Sequence, residues 1–231
     1  MAEQDEVKRK AARAALAHLP EGGVLGLGTG STACHFVDAV GELVRAGRNY
    51  SGIPTSERSR QQALALGIPL LPDEGPWEID VCVDGADEVS ADLDLIKGGG
   101  AAHTREKIVN YASRLNIIVV DSSKVSARLG EKWPIPIEVL TYGHRATERL
   151  LAAYGRPVLR TEAGQPTKTD AGNVIYDLHV EPIKDAGRLA GQLALVPGVV
   201  GTGLFVGRAD IVLVAGEDGI RTLERSRARG D

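Results

Sequence analysis

Apolar residues recur along the first half of the chain in two alternating rhythms. Between Asp5 and Leu19 they fall at Val7, Ala11, Ala15 and Leu19, the spacing of one helical stripe. Gly22 and Gly23 interrupt that stripe, and residues 24–27 read as a short buried strand. Ala33, Phe36, Val37, Val40 and Val44 return to the helical period, with Ser31 or Thr32 placed to cap the helix. The pattern then predicts a strand near 50–53, a helix over 57–66, and strands at 68–71 and 79–83. A further helix is predicted from just after Gly100 to about Arg114, and residues 116–120 are the most β-branched run up to that point. Wholly apolar strands alternating with amphipathic helices predict a doubly wound, mostly parallel α/β sheet (Rossmann-like) with both faces covered.

The rhythm changes after Lys124. Trp133-Pro134-Ile135-Pro136 punctuates the chain, and a second set of elements follows: strand 137–140, helix 145–154, strands 157–160 and 174–180, helix 186–195, and an apolar run over 199–206. This predicts a smaller α+β unit over 131–204, inserted into a main domain made of 1–130 and 205–231. Residues 211–214 read as a buried strand that rejoins the main sheet, and the chain from Arg225 as a solvated tail.

Composition narrows the possibilities. The chain is 43% hydrophobic but only 4% aromatic, so its core must be built from Ala, Val, Leu and Ile. A net charge of -4 argues against general nucleic-acid binding, which needs a basic face, but leaves room for a local anion site built from a few lysines. The charged start of the chain lacks the apolar stretch of a signal peptide, and no window approaches a membrane span. Cys34 and Cys82 form no CxxC pair and read as small buried hydrophobes in a reducing compartment. The expectation is a soluble cytoplasmic protein with neither nucleic-acid nor membrane partners.

Four polar loops follow the predicted strands, and three of them fall at strand carboxyl ends, where an open parallel sheet binds its ligands. Gly28-Thr29-Gly30-Ser31-Thr32 suits an anion at the start of a helix, a reading favoured over a plain strand-to-helix turn with a capping hydroxyl. The GxGxxG dinucleotide fingerprint is absent, because Ser31 stands where its last Gly would be. Asp84-Gly85-Ala86-Asp87-Glu88 crowds carboxylates together, as proton traffic requires, or is a turn with Asp84 bonded to local amides. Lys97-Gly98-Gly99-Gly100 spends conformational entropy that is justified where backbone must approach something closely. Glu106 in the following Thr104-Arg105-Glu106-Lys107 is either a catalytic carboxylate or a helix-start acid. Asp121-Ser122-Ser123-Lys124 is the fourth loop. The five histidines show no metal-ligand spacing, so no metal is assigned; His103 reads as structural.

Taken in order, GLGTGST, TSERS, VDGADEV, IKGGGAAHTREKIV, DSSK and PGVVGTGLF resemble the type A ribose-5-phosphate isomerases over essentially the whole chain. The resemblance implies a cofactor-free aldose–ketose isomerase joining ribose 5-phosphate and ribulose 5-phosphate through a cis-enediolate, with a ferredoxin-like insert that supports a homodimer or homotetramer. It places the general base on Glu106, catalytic acids on Asp84 and Asp87, and the active-site lysine on Lys97. Substrate contacts fall on Gly98, Gly99 and Gly100, on Gly85 and Ala86, and on the sugar-phosphate loop Thr29, Gly30, Ser31 and Thr32. Lys124 and Lys8 complete the phosphate side, and TSERS stays outside the core site. Lys97 and glycine amides would stabilise the enediolate oxygen, while Asp84, with Asp87, would move the hydroxyl proton and open the furanose ring. The rivals are a non-catalytic sugar-phosphate sensor, which would usually need a DNA-reading helix-turn-helix, and a coenzyme A transferase using a glutamate nucleophile. Nicotinamide redox chemistry is weaker, given the missing fingerprint.

Overall fold

The computed structural model describes residues 2–216 and 218–225. Residues 226–231 of the expected tail lie outside them, and Arg225 is part-buried and anchored: its guanidinium donates to Leu93 O (2.9 Å) and to Asp94 (3.1 Å). The first helix, α1 (Ala2–Ala14), ends in a short 3₁₀ turn, Ala15–His18. The chain continues through β1 (Gly23–Leu27), α2 (Ala33–Arg45), β2 (Tyr50–Pro54), α3 (Glu57–Ala65) and β3 (Ile79–Asp84). Two short strands, β4 (Glu88–Val89) and β5 (Leu95–Ile96), precede α4 (His103–Tyr111) and β6 (Ser113–Asp121). Next come β7 (Ile135–Val139), α5 (His144–Leu151), β8 (Arg156–Leu159), β9 (Thr161–Glu162), β10 (Gln165–Pro166), β11 (Val174–His179), α6 (Ala186–Ala194) and β12 (Val199–Thr202). The chain closes with β13 (Leu204–Phe205), β14 (Ile211–Gly216) and β15 (Gly219–Glu224).

The main sheet runs β15-β14-β6-β3-β1-β2. All its pairings are parallel except the edge hairpin β14–β15. Successive side chains on a strand face opposite sides, which assigns the core residues to two layers. Leu25 and Leu27, Val81 and Val83, Ile117 and Val119, and Leu213 with Ala215 pack with Phe36, Val37 and Val40 of α2 and Ala11 of α1. Ile118, Val120, Val212 and Val214 face the other way, onto Val89, Leu95 and Phe205 of a small three-stranded sheet, β13-β5-β4. Cys82 meets Val109 of α4 on that second face. The strands are therefore apolar on both sides, as the sequence predicts.

A separate antiparallel sheet, β12-β7-β11-β8, occupies residues 135–202, its core formed by Ile137, Tyr176, Leu178 and Leu193 among others. Three expectations need correction. The strand over 68–71 reduces to a single bridge between Leu70 and Gly52. Pro69 and Pro72 cannot donate to a ladder, which keeps this segment from pairing further. The helix after Gly100 begins at His103 and stops at Tyr111, because residues 113–115 already pair in β6 with β3. The apolar run over 199–206 is two strands in two sheets, bent at Gly203, where an added Cβ would lie 2.2 Å from Lys97 O.

Candidate active site

The five parallel strands lie in the order β2-β1-β3-β6-β14, so the winding direction reverses between β1 and β3. A ligand crevice belongs at that switch point, outside the strand carboxyl ends. Leu27 pairs with Val83, which brings Gly28 and Asp84 out side by side. Gly28 N donates to Val83 O (3.1 Å), and a Cβ on Gly28 would lie 2.4 Å from Asp84 Oδ1 and 2.5 Å from Val83 O. Only glycine lets the two loops touch.

Asp84 is buried and fully used. Its Oδ1 accepts from Thr29 N (3.0 Å) and Gly85 N (2.7 Å), and its Oδ2 lies 3.0 Å from Lys97 Nζ. Lys97, on the loop after β5, also donates to Gly85 O (2.6 Å) and reaches Glu106 Oε2 at 3.2 Å. That last contact is one of charge, outside aligned hydrogen-bond geometry. Both partners are almost wholly shielded, Lys97 and Glu106 each being 3% exposed. Burial acts to lower the proton affinity of Lys97, but the carboxylates of Asp84 and Glu106 outweigh it, and the net shift is upward. Burial acts on Glu106 in the opposite sense. It raises the carboxyl from 4.5 to about 8, against the pull of Lys97 and with help from the Asp84 charge. The cluster thus contains a fixed cation, a fixed anion and one group poised to exchange a proton near neutral pH.

Asp87 is only half-buried, and its Oδ2 accepts from Gly99 N (2.7 Å). Gly98 takes φ +114°, with His103 Nδ1 2.7 Å from where its Cβ would be, so glycine is required there too. His103 is fully buried behind this loop, and burial lowers it to about 4, a neutral packing residue as expected.

The opposite wall is the first glycine loop. The anticipated hydroxyl cap on α2 does not form, because Thr32 already has helical dihedrals and Ser31 Oγ instead accepts from Lys8 Nζ (3.0 Å). The N–H groups of Ser31, Thr32 and Ala33 have no protein acceptor among the described residues, which leaves the positive end of α2 open. Thr29 Oγ1 is held by Thr55 Oγ1 and Ser56 Oγ, each at 2.7 Å.

Together these loops enclose a cleft of about 280 Å³. Its walls include Lys8, Thr29, Gly30, Ser31 and Thr32 on one side and Gly85, Ala86 and Asp87 on another. Lys97, Gly98, Gly99, Gly100 and Glu106 form a third part, and Asp121, Ser123 and Lys124 close it. Of the catalytic and substrate-contact residues that the resemblance names, Asp84 alone is set behind this wall, against Lys97. Among the described residues no three His, Cys, Asp or Glu side chains gather as a metal site would need.

Comparison with known proteins matches residues 51–219 to the family Ribose 5-phosphate isomerase A (phosphoriboisomerase A). A ribose-5-phosphate isomerase A of Rhodopseudomonas palustris (strain BisB18) is 48% identical over 229 residues, covering 96% of this chain and 98% of the relative. The chain belongs to the ribose 5-phosphate isomerase A family. Among solved members, that of Methanocaldococcus jannaschii superposes with a TM-score of 0.89 at 40% identity, covering 95% of this chain and 98% of its own. A D-ribose-5-phosphate isomerase solved in complex with phospho-erythronic acid also gives 0.89, at 37% identity and the same coverage. The fold is therefore that of the ribose 5-phosphate isomerase A family over 95% of the chain.

Several groups around the site were not singled out in sequence. Thr55, Ser56 and Ser59 of the TSERS segment form the hydroxyl cluster behind Thr29, so this motif supports the site without lining it. Lys107 ties α4 to the chain beyond β12 by donating to Thr202 O (2.7 Å) and Leu204 O (2.8 Å), and burial lowers it to about 8. Its place in TREK was the available signal. Arg160 and Asp170 carried none, since they lie in an unremarkable polar stretch and reach the site only through the fold. Cys82 is buried as expected, whereas Cys34 is only half-buried, with Sγ 3.0 Å from Ser31 O.

Proposed function

We propose that this chain interconverts ribose 5-phosphate and ribulose 5-phosphate, with Glu106 carrying the proton between the two reacting carbons. The observation that carries the reading is a buried carboxylate of raised proton affinity on the cleft wall, 3.2 Å from a permanently charged lysine, in a member of this family. Removing the C2 proton beside the aldehyde leaves a cis-enediolate with its charge on O1; passing the O2 hydroxyl proton to O1 and returning the carbon-bound proton to C1 gives the ketose. One carboxylate on one face can do both. As Glu106 gains the proton, negative charge leaves it and appears on the substrate oxygen. Lys97, 3.2 Å from Glu106 and lining the same cleft, is close enough to stabilise the charge before and after transfer, helped by the glycine-loop amides.

The acids divide the remaining work. Asp84 has both oxygens occupied, which suits it to orienting Lys97 and the Thr29 turn. Asp87 keeps Oδ1 free of protein donors among the described residues, which suits it to taking the anomeric hydroxyl proton and passing it to the departing ring oxygen during ring opening. Lys8, Lys124, the open amides of Ser31 and Thr32, and the positive end of α2 form the phosphate side, supplying binding energy remote from the chemistry.

Assembly as a homodimer or homotetramer through the unit at 131–204 belongs to this reading, supported by exposed Tyr142, Leu150 and Leu195 on that unit. A cytoplasmic location is supported by two free cysteines. Among the described residues, no helix is long and apolar enough to cross a membrane. The test is incubation of the purified protein with ribose 5-phosphate, with chelator and without added cofactor. Ketose should accumulate to equilibrium; calorimetric binding without ketose would replace the isomerase by a sensor.

A further inference from the structure

Arg160 stands just beyond β8, outside the main sheet, and contributes nothing to the cleft wall. Asp177 on β11 grips its guanidinium from two sides, Oδ2 accepting from Nε (2.9 Å) and Oδ1 from Nη2 (2.5 Å). The remaining corner, Nη1, donates to two consecutive carbonyls of the glycine loop, Gly98 O (2.8 Å) and Gly99 O (3.3 Å). Both peptides are trans, so each C=O points opposite to the N–H of the next residue. Holding Gly98 O on the arginine therefore aims Gly99 N–H the other way, where it meets Asp87 Oδ2 at 2.7 Å. Holding Gly99 O does the same for Gly100 N–H, which has no protein acceptor among the described residues and belongs to a cleft-lining glycine. Three successive glycines would otherwise sample many orientations.

We propose that Arg160, seated by Asp177, is a positioning residue for the isomerisation. It fixes two peptide planes of the glycine loop, so that one amide orients Asp87 and the next faces the charge that develops on the substrate. A lysine cannot replace it, because a single ammonium cannot hold the carboxylate and both carbonyls in one planar fork. The inference rests on the proposed isomerase reading, since only there does charge develop in front of Gly100.

The effect belongs in kcat rather than in binding of the neutral sugar end, because the aimed amide matters most when the oxygen becomes charged. Arg160→Ala should lower kcat by about 10–100-fold, the scale of a small misplacement at a reacting centre, with KM changed less than about threefold. Arg160→Lys should fall between the two. Guanidinium chloride at millimolar concentration should restore part of kcat to Arg160→Ala, but none to Arg160→Ala/Asp177→Ala, which lacks the seat. Affinity for phospho-erythronic acid, whose carboxylate presents a fixed negative charge, should fall about tenfold by calorimetry. Circular dichroism fixes the folded fraction of each variant. If folded Arg160→Ala keeps both kcat and this affinity within twofold of the parent, the arginine merely braces the fold and the inference is wrong. If the parent itself makes no ketose, the isomerase reading has failed, and the calorimetric comparison still decides whether the clamp shapes the cleft.

Discussion

Replacing Glu106 by Gln keeps the shape of a buried side chain and removes its capacity to take a proton, which separates two properties that Glu106 couples. Burial raises this carboxyl from 4.5 to about 8. In the unfolded chain it titrates near its ordinary value, so between these limits the folded state holds a proton that the unfolded state has released. Stability is fully present below the lower value and falls as pH rises toward the upper, by about 1.4 kcal/mol per pH unit. From 4.5 to neutrality the loss amounts to about 3 kcal/mol, whatever the folded value, provided it stays above neutral. Gln carries no such dependence, and Lys97 keeps Asp84 as its counter-charge at 3.0 Å.

Urea titrations should therefore find Glu106→Gln about as stable as the parent near the lower limit and more stable by about 3 kcal/mol at neutral pH. Turnover of ribose 5-phosphate should drop by roughly 10²–10⁴-fold or more, the usual worth of a positioned base, with substrate still bound. A stability difference that does not grow with pH would refute the buried, proton-retaining carboxyl. Near-parental turnover would refute Glu106 as the base.

The same raised affinity predicts that kcat/KM climbs about tenfold per pH unit below neutrality and levels off above about 8, as the base deprotonates; a profile already flat from pH 5 would contradict it. Lys124→Ala should raise KM for ribose 5-phosphate by roughly 10-fold or more, the loss of one charged hydrogen bond, with kcat little changed; an unaltered KM would remove Lys124 from the phosphate side. Gly28→Ala should lower the urea midpoint by the equivalent of about 1–3 kcal/mol and depress activity with it, since the new methyl meets Asp84 and the Val83 carbonyl. A Gly28→Ala protein of parental stability would show that the two loops have room to part.

Residues whose role follows from local sequence were legible before the fold was known. The Gly28–Thr32 loop, the acids of 84–88, Lys97 with its glycines, and Glu106 sit at strand ends or at the helix that follows, and strand order brings the loops after β1, β3 and β6 to one edge. The central strands were legible because each carries a run of apolar residues, such as Ile117–Val120 in β6. What escaped was structure without a period. Strands β4, β5 and β13 are two residues long and cannot show alternation, yet they carry Lys97 into place. The cap on α2 was misjudged because a serine at a helix start serves a lysine 23 positions away as readily as its own backbone. Arg160 was invisible for a stronger reason: it acts on Gly98 from 62 residues away, across two sheets.

These long-range ties bear on how the two sheets share one site. Helix α4, which carries Glu106, packs on β12, and its Lys107 bonds the chain on either side of Gly203. Lys97 N donates to Gly203 O (2.9 Å), so the backbone of the active-site lysine is hydrogen-bonded to the hinge between the two sheets. Asp170, in the β10–β11 loop, accepts from Glu57 N (2.8 Å) and pairs with Arg105 (3.2 Å), spanning from α3 to α4. Glu88, fully buried, accepts from Gly130 N and Lys132 N and fixes the point where the chain leaves for β7. A buried Lys97 beside two acids is an expensive arrangement unless its partners are held rigidly, because loss of Lys97 or of Asp84 leaves a charge unpaired in low dielectric. The antiparallel sheet supplies that rigidity from behind, through backbone carbonyls and ion pairs that stay off the cleft wall. The phosphate side is braced differently, by the hydroxyls of Thr55, Ser56 and Ser59 behind Thr29; its lysines and open amides have the task of binding an ion, whereas Glu106 must hold a proton that water would otherwise take.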